Sequence, residues 1–222
     1  MSSRSEFRTR TAVLTGVLLA LASCGGPAAI SYTSAAPGAS AATWNFDQEA
    51  TGGPPKGSEP FAGEWIVRAE ADAPSRPNAL CQTGSATFPA IALSTTVYAD
   101  VVITVRFKPI SGREDQAAGI IFRVQDKDDY YILRANALEG NVNFYKYASG
   151  SRSTIKEGSA TVATGQWQEL RVEAAADRMR GFMNGQLVVE ENDATYKAGR
   201  VGLWTKADSV TCFDDVSVKP GG

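Results

Sequence analysis

Polar and aromatic side chains alternate with apolar ones along residues 118–147, and they are the residues of this chain best suited to contact a ligand. Arginine and asparagine offer planar hydrogen-bond donors, and tyrosine offers a flat ring with a hydroxyl. One set of alternate positions comprises Arg123, Gln125, Tyr130, Arg134, Asn136, Asn143, Tyr145 and Tyr147. The other set is mainly apolar and comprises Ile120, Phe122, Val124, Tyr131, Leu133, Ala135, Val142 and Phe144. This alternation predicts a sheet with a polar face on one side and a core on the other.

Three strands are needed to position these side chains. We expect residues 126–129 to form a four-residue loop and Glu139-Gly140 to form a two-residue turn. The expected cross-strand pairs are then Gln125 with Tyr130, Arg123 with Ile132, Arg134 with Tyr145, and Asn136 with Asn143. A slip of one residue would exchange the two faces, so the agreement of three segments on one pattern supports this assignment.

The rest of the chain also has the pattern of short strands. Further candidates are residues 64–70, 79–82, 90–93, 97–110, 154–163, 167–175, 178–183, 186–190, 199–206 and 210–219. Asn184-Gly185 is a strong signal for a two-residue hairpin turn. No stretch has the pattern of a helix of about ten residues or more. The sequence therefore predicts an all-β fold, a two-sheet antiparallel sandwich.

The N-terminus has the pattern of an export signal. Arg4, Arg8 and Arg10 precede an apolar run that ends at Cys24, and Leu21-Ala22-Ser23-Cys24 resembles the box in which bacterial lipoproteins are acylated. We expect a signal peptide at 1–23, a lipidated Cys24 with a flexible tether over 24–42, and a folded domain at 43–222. The expected location is the bacterial cell envelope, anchored in the membrane through lipid and facing the periplasm or the cell exterior. The alternative is an ordinary secretory signal with an incidental cysteine.

The composition limits the chemistry of the chain. It contains no histidine, which excludes Ser-His-Asp and Cys-His catalysis and histidine-ligated zinc. Its formal net charge of −2 makes nucleic acid an unsuitable partner. Because the chain is expected to be exported, Cys81 and Cys212 are predicted to form a disulfide. The alternative is two buried thiols that never meet.

Several motifs together resemble a known superfamily. They are W-N-F-D at 44–47, D-V-V-I-T-V-R-F-K-P-I-S-G at 100–112, G-I-I-F-R-V-Q-D at 119–126, Y-Y-I-L-R-A-N at 130–136, G-Q-W-Q-E-L-R-V-E at 165–173, V-G-L-W-T-K-A-D-S-V at 201–210 and F-D-D-V at 213–216. In this order they resemble the concanavalin A-like lectin/glucanase superfamily. Within it they are similar to the laminin-G-like jelly rolls of bacterial exported proteins, including family-16 glycoside hydrolase-like and 3-keto-disaccharide hydrolase-like domains.

The resemblance implies a jelly roll whose concave sheet meets sugars. The residues expected to bind carbohydrate, or a cell-envelope glycan, are Arg123, Tyr130, Arg134, Asn136, Asn143, Tyr145, Tyr147 and Trp204. The resemblance also implies a structural calcium ion as the one possible cofactor, with Asp47, Asp214 and Asp215 as candidate ligands. The alternative for these three residues is that they are aspartates of turns and strand ends.

The motif of catalytic family-16 enzymes, Glu-x-Asp-x-(x)-Glu, is absent from the sequence. We therefore expect no catalytic residues and favour a membrane-tethered domain that binds carbohydrate. A hydrolase acting on a glycan or a keto-disaccharide and a protein-interaction module of the envelope are the two alternatives.

Overall fold

A computed structural model describes residues 39–221, and every regular element in that range is a β-strand. The predicted signal peptide, Cys24 and most of the predicted tether lie outside the described residues. No helix within residues 39–221 has the length and apolar character that a membrane span requires. The strands are β1 Ala42–Trp44, β2 Glu59–Ala62, β3 Trp65–Ala69, β4 Asn78–Gln82, β5 Ala90–Ala92, β6 Val101–Ser111, β7 Ala117–Val124, β8 Tyr130–Asn136, β9 Asn141–Ala148, β10 Ser151–Lys156, β11 Gln168–Ala175, β12 Arg178–Met183, β13 Gln186–Asn192, β14 Arg200–Trp204 and β15 Val210–Pro220.

The strands form two antiparallel sheets, which confirms the predicted sandwich. The eight-stranded sheet has the order β13-β12-β11-β6-β15-β4-β3, and β1 pairs with β15 as well. The seven-stranded sheet has the order β10-β9-β8-β7-β14-β5-β2. The three strands predicted from residues 118–147 are β7, β8 and β9, and they lie together in the seven-stranded sheet.

The core lies between the two sheets and is built from alternate positions of their strands. From the seven-stranded sheet it takes the predicted apolar set, including Phe122, Leu133 and Phe144, all of which are fully buried. From the eight-stranded sheet it takes Val105, Val172 and others on β6, β11 and β15. The apolar face predicted from residues 118–147 is therefore the core face, with one exception described below.

Two local predictions are confirmed. Asn184 and Gly185 both have positive φ, 48° and 79°, and join β12 to β13 as a two-residue hairpin. Cys81 on β4 lies opposite Cys212 on β15, and the two form a disulfide. Because β4 is early in the chain and β15 is last, this bond joins distant segments within one sheet.

The predicted register of the central strands is wrong by two residues at both connections. On β9, Asn143 instead of Tyr145 lies opposite Arg134, and on β7, Ile121 instead of Arg123 lies opposite Ile132. Likewise Asn136 pairs with Asn141 instead of Asn143, because the second connection spans four residues, 137–140, and not two. The Asn136 side chain stabilises that longer turn by accepting a hydrogen bond from the backbone N–H of Leu138 at 3.0 Å. A shift of two residues leaves every side chain on its predicted face.

Arg123 is the exception, and its predicted place on the polar face is wrong. It adopts φ 49°, and the pairing of β7 with β14 shifts between Gly202 and Arg200 at this point, which is the geometry of a β-bulge. The bulge reverses the alternation, so Val124 leaves the predicted core face and packs with Ile121 on the other side of the sheet. Arg123 turns away from that side and is buried. Its expected pairing with Ile132 is replaced by Ile121 with Ile132.

Candidate functional site

The face of the seven-stranded sheet that points away from the core collects most of the residues predicted to bind a ligand. We call it the ligand face and define it by Tyr130, Arg134 and Asn136 on β8, Asn143, Tyr145 and Tyr147 on β9, Arg152 on β10, and Trp204 on β14. Seven of the eight predicted residues therefore lie on one face. Arg123 does not.

These side chains are more deeply covered than the sequence predicts. Tyr145 is 5% exposed and Trp204 is fully buried, and among the predicted residues of the ligand face Tyr147 is the half-buried one. The cover comes from two residues that were not predicted. Phe88 stacks on Trp204, with ring centroids 5.7 Å apart and an interplanar angle of 24°, and Arg152 lies above the same rings.

Arg152 sits on an aromatic platform. Its guanidinium carbon lies 4.4 Å from the centroid of the Tyr145 ring, 4.9 Å from that of Phe88 and 5.8 Å from that of Trp204. Such contacts stabilise a cation by the negative potential of the ring faces. Burial, together with the like charge of Arg134, lowers the pKa of Arg152 below its ordinary value.

The other tyrosines extend this platform. The rings of Tyr130 and Tyr147 are 4.9 Å apart, and Tyr147 meets Phe88 edge-on at 5.6 Å. Burial raises the pKa of Tyr130 far above its ordinary value, so its hydroxyl is neutral at every physiological pH. The amide of Asn143 donates a hydrogen bond of 3.0 Å to the Tyr145 hydroxyl oxygen and so holds that ring in place.

A cluster of charges adjoins the platform and is centred on Arg134. The Arg134 guanidinium contacts Glu139 at 2.7 Å through Nη2 and Asp115 at 4.0 Å through Nη1. Asp115 also forms an ion pair with Lys206 at 2.6 Å and accepts a hydrogen bond of 2.5 Å from the Asn136 amide. Two carboxylates and two cations thus form one connected network.

The two carboxylates differ in their exposure. The Asp115 side chain is 2% exposed, whereas that of Glu139 is 41% exposed. Burial acts to raise the pKa of Glu139, but the hydrogen bonds from Arg134 and Asn141 outweigh it and hold the pKa below its ordinary value. Glu139 is therefore ionised at neutral pH, which does not suit a general acid.

A surface pocket of about 440 Å³ opens beside this cluster. Asp115 and Lys206 line it, together with Glu114, Ala207 and residues 85–87. The same segment continues into Phe88, so the cover of the aromatic platform and the wall of the pocket belong to one loop. The volume is in the range of small-ligand sites, and the lining offers both donors and acceptors.

With this geometry established, comparison with known proteins decides the family. The profile of a family described as "3-keto-alpha-glucoside-1,2-lyase-like domain" matches residues 32–219. The chain belongs to this 3-keto-alpha-glucoside-1,2-lyase-like family. Levanase from Bacillus subtilis (strain 168) is 29% identical over 105 residues, which cover 46% of this chain and 15% of that protein.

Solved structures share the fold of this lyase-like domain. The carbohydrate-binding module CBM66 from Bacillus subtilis matches with a TM-score of 0.63 and 19% identity, covering 78% of this chain and 99% of that one. The Bacillus licheniformis beta-glucanase matches with a TM-score of 0.53 and 12% identity, covering 83% of this chain and 99% of that one. These likenesses, together with the two antiparallel sheets, confirm the predicted jelly-roll fold.

Sequence reasoning missed four residues that complete the site in this lyase-like domain. Asp115 and Lys206 continue the alternation of β7 and β14 beyond the strand ends, two residues before Ala117 and two after Trp204, so alternation was a usable signal. Arg152 lies in a serine-rich segment outside the predicted strands. Phe88 lies in a loop, and no periodicity marks a loop residue as the cover of a distant strand.

The three calcium candidates do not converge. Asp47 accepts a hydrogen bond from the Asn78 backbone at 3.2 Å, and the buried Asp214 accepts bonds from the backbone N–H groups of Ser75 and Asp215, both at 2.8 Å. Asp215 is exposed in a bulge of β15, where φ is 44°. Within residues 39–221, one group of three acidic or cysteine residues brings its possible metal-ligand atoms within 4.8 Å of one another, and it consists of Glu70, Cys81 and Cys212. Its two cysteines are bonded to each other as a disulfide.

Proposed function

We propose that this domain binds carbohydrate at the pocket beside the ligand face. The observation that carries the proposal is the network of Asp115, Arg134 and Lys206. Asp115 and Arg134 are buried, and the network opens through Lys206 into a pocket of about 440 Å³. A sugar presents hydroxyls that both donate and accept, and this lining offers a carboxylate and an ammonium side by side. The family and the carbohydrate-binding module among the similar structures support the same class of ligand.

The structure favours the pocket over the aromatic platform as the main contact for a sugar ring. Phe88 and Arg152 already cover Trp204 and Tyr145, so a ring can stack there only if one of them moves. Lys206, in contrast, keeps 27% of its side chain exposed while it is paired with Asp115. A hydroxyl that replaces water at this pair meets side chains already held in place, which lowers the entropy lost on binding.

We further propose that the domain works in the cell envelope, held to a membrane by a lipid on Cys24. The lipid anchor rests on the sequence of residues 1–24, which lie outside the described residues. The disulfide between Cys81 and Cys212 supports an oxidising compartment, because such bonds are rare in the cytosol.

A second candidate function is a lyase or hydrolase acting on a keto-disaccharide or glycan. Two observations favour it: the family description, and the contact of both Asp115 and Glu139 with one guanidinium. Against it, both oxygens of Asp115 are engaged, and the pKa of Glu139 is lowered instead of raised. The geometry therefore favours binding over acid catalysis.

The test is a glycan array probed with the purified full chain, followed by calorimetry on the best ligand. Lys206→Met should weaken binding by about 10-fold or more, because it removes a charged donor from the pocket. Lys197→Met is the matched control, since Lys197 is an exposed lysine paired with Asp177 away from the pocket. The control should bind as the parent does.

Three outcomes would change the assignment. If no glycan on the array binds, carbohydrate binding is refuted and the protein-interaction alternative replaces it. If Lys206→Met binds as tightly as the control, the site is not this pocket. If chromatography shows that the bound glycan or a 3-keto-disaccharide is cleaved, and Asp115→Asn abolishes cleavage while remaining folded, the domain is an enzyme.

A further inference from the structure

Arg152 is a cation without an anion. Within residues 39–221 none of its nitrogens donates a hydrogen bond or lies within 4.0 Å of a carboxylate, and its Nη1 is shielded from water with no partner. The side chain is half-buried on the edge strand β10, so part of the guanidinium still reaches the surface. A partly desolvated charge in this state gains from any anion that reaches it.

The neighbouring charges do not supply that anion, because they are paired with one another. Lys206 pairs with Asp115 at 2.6 Å, and Arg134 pairs with Glu139 at 2.7 Å. Among the charged side chains of the ligand face, Arg152 is thus the cation that has no ion-pair partner. One further donor on this face, Nε of Arg134, also lacks an acceptor, and Arg134 is 1% exposed.

The ligand face therefore has an excess of hydrogen-bond donors over acceptors. Among the described residues of the ligand face, the water-shielded Nε of Arg134 and Nη1 of Arg152 have no partner, and a guanidinium nitrogen cannot accept a hydrogen bond. Arg200, on the same sheet, has both an aromatic contact and an ion pair. Its guanidinium lies 5.6 Å from the Phe61 ring and is also ion-paired with Glu59. Arg152 has the aromatic contact without the ion pair.

We infer that the glycan bound in this pocket is acidic and extends over the adjoining ligand face, where a sugar carboxylate lies against Arg152. This inference rests on the proposed function, since it names the class of sugar for the same site. A carboxylate is planar and matches the fork of a guanidinium with two parallel hydrogen bonds. Its single negative charge balances the one unpaired positive charge, whereas a phosphate dianion would leave excess negative charge close to Asp115 and Glu139.

The test compares acidic oligosaccharides with neutral partners of the same shape. Calorimetry on the full chain would use tetragalacturonate, tetramannuronate and a hyaluronan tetrasaccharide, each beside its carboxyl-reduced form. We expect at least one acid to bind, its reduced form to bind about 10- to 100-fold more weakly, and its affinity to fall between 50 and 500 mM salt. Dextran sulfate serves as the probe for unspecific anion binding.

Two variants locate the effect. Arg152→Gln should lose about the same 10- to 100-fold for the acid, so that the acid no longer binds more tightly than its reduced form. Arg200→Gln is the control, because it removes an arginine that stacks on a ring of the same sheet but is already paired, and it should change either affinity less than about 2-fold. Unfolding curves of both variants establish that they are folded. A third variant, Arg152→Lys, keeps the positive charge but removes the planar guanidinium, and so separates the two contributions.

The outcomes separate this inference from the proposed function. If a neutral glycan binds and none of the acids binds more tightly than its reduced form, carbohydrate binding stands and the acidic-sugar inference is overturned. If dextran sulfate binds as tightly as the best acid, or if Arg152→Gln keeps full affinity for that acid, Arg152 is a structural cover and the inference is also overturned. If neither acidic nor neutral glycans bind, both proposals are refuted.

Discussion

Removing the disulfide between Cys81 and Cys212 should cost this domain a large share of its stability. The two residues are 131 positions apart in the sequence, so the bond closes a loop through most of the domain. The loop-closure relation gives about 5 kcal/mol at 25 °C for a loop of this length. Native domains are stable by about 5–15 kcal/mol in total, so this single bond is decisive for a marginal fold.

The native surroundings of the bond alter this value little. Both cysteines are fully buried and lie directly opposite each other on β4 and β15, where backbone hydrogen bonds hold the strands together without the sulfurs. Replacing both residues with alanine leaves a small cavity next to Ala79, while the sheet itself persists. We therefore expect the Cys81→Ala, Cys212→Ala variant to fold and to lose about 3–5 kcal/mol.

Urea unfolding followed by tryptophan fluorescence measures this loss. The single variant Cys81→Ala is the control, since it also lacks the bond and should match the double variant within about 0.5 kcal/mol. The slope of the unfolding free energy against urea should rise in both variants, because an unfolded chain without the cross-link exposes more surface. A double variant that loses less than about 1 kcal/mol, with an unchanged slope, would refute loop closure as the source of stability.

Three further predictions concern the core, the pH response and the anchor. Phe144→Ala should lower the free energy of unfolding in urea by about 3–5 kcal/mol, because it leaves a cavity in the core. Ser153→Ala, at an exposed position of β10, should lower it by less than about 0.5 kcal/mol. The reverse order would contradict the assignment of faces. Burial raises the pKa of Asp214 from 3.8 to about 6. The protonated form therefore stabilises the native state by about 3 kcal/mol below pH 3.8, and this contribution is lost as the pH rises through about 6. The pH slope of the unfolding free energy should therefore flatten in Asp214→Asn, and an equal slope in both proteins would rule out this source. Cys24→Ser should release the protein from the membrane fraction, and unchanged fractionation would remove the proposed lipid anchor.

The sequence predicted which side chains share a face better than it predicted which residues are paired. Phe122, Leu133 and Phe144 lie in the core as expected, although the registers that placed them there were wrong by two residues. The reason is the period of a strand, because any even shift keeps the faces and changes only the partners. Turn length was the missing information, and the side chain of Asn136 helps to set it through a local hydrogen bond that hydrophobic alternation does not reveal.

Accessibility could not be predicted from alternation. Tyr145 and Trp204 lie on the face expected from the sequence, yet Phe88 and Arg152 bury them. Phe88 comes from a loop and Arg152 from a serine-rich edge strand, so neither carries a periodic signal. A pattern within one strand reports the side of the sheet on which a residue lies, but the cover of that side depends on tertiary packing by other segments.

Arg123 shows how a single bulge converts a polar position of a strand into a structural one. Its guanidinium donates hydrogen bonds to three backbone carbonyls, those of Ala99 at 3.3 Å, Tyr196 at 3.0 Å and Ala176 at 2.6 Å. These carbonyls belong to three connections well separated in sequence, so one buried arginine links all three. The bulge requires close backbone contact, since a Cβ added at Gly199 would lie 2.3 Å from the carbonyl carbon of Arg123. Because three carbonyls accept its hydrogen bonds and Asp100 lies 3.8 Å from its Nη2, Arg123 is already satisfied. Arg152 is the arginine of this sheet that still lacks a partner for a ligand to supply.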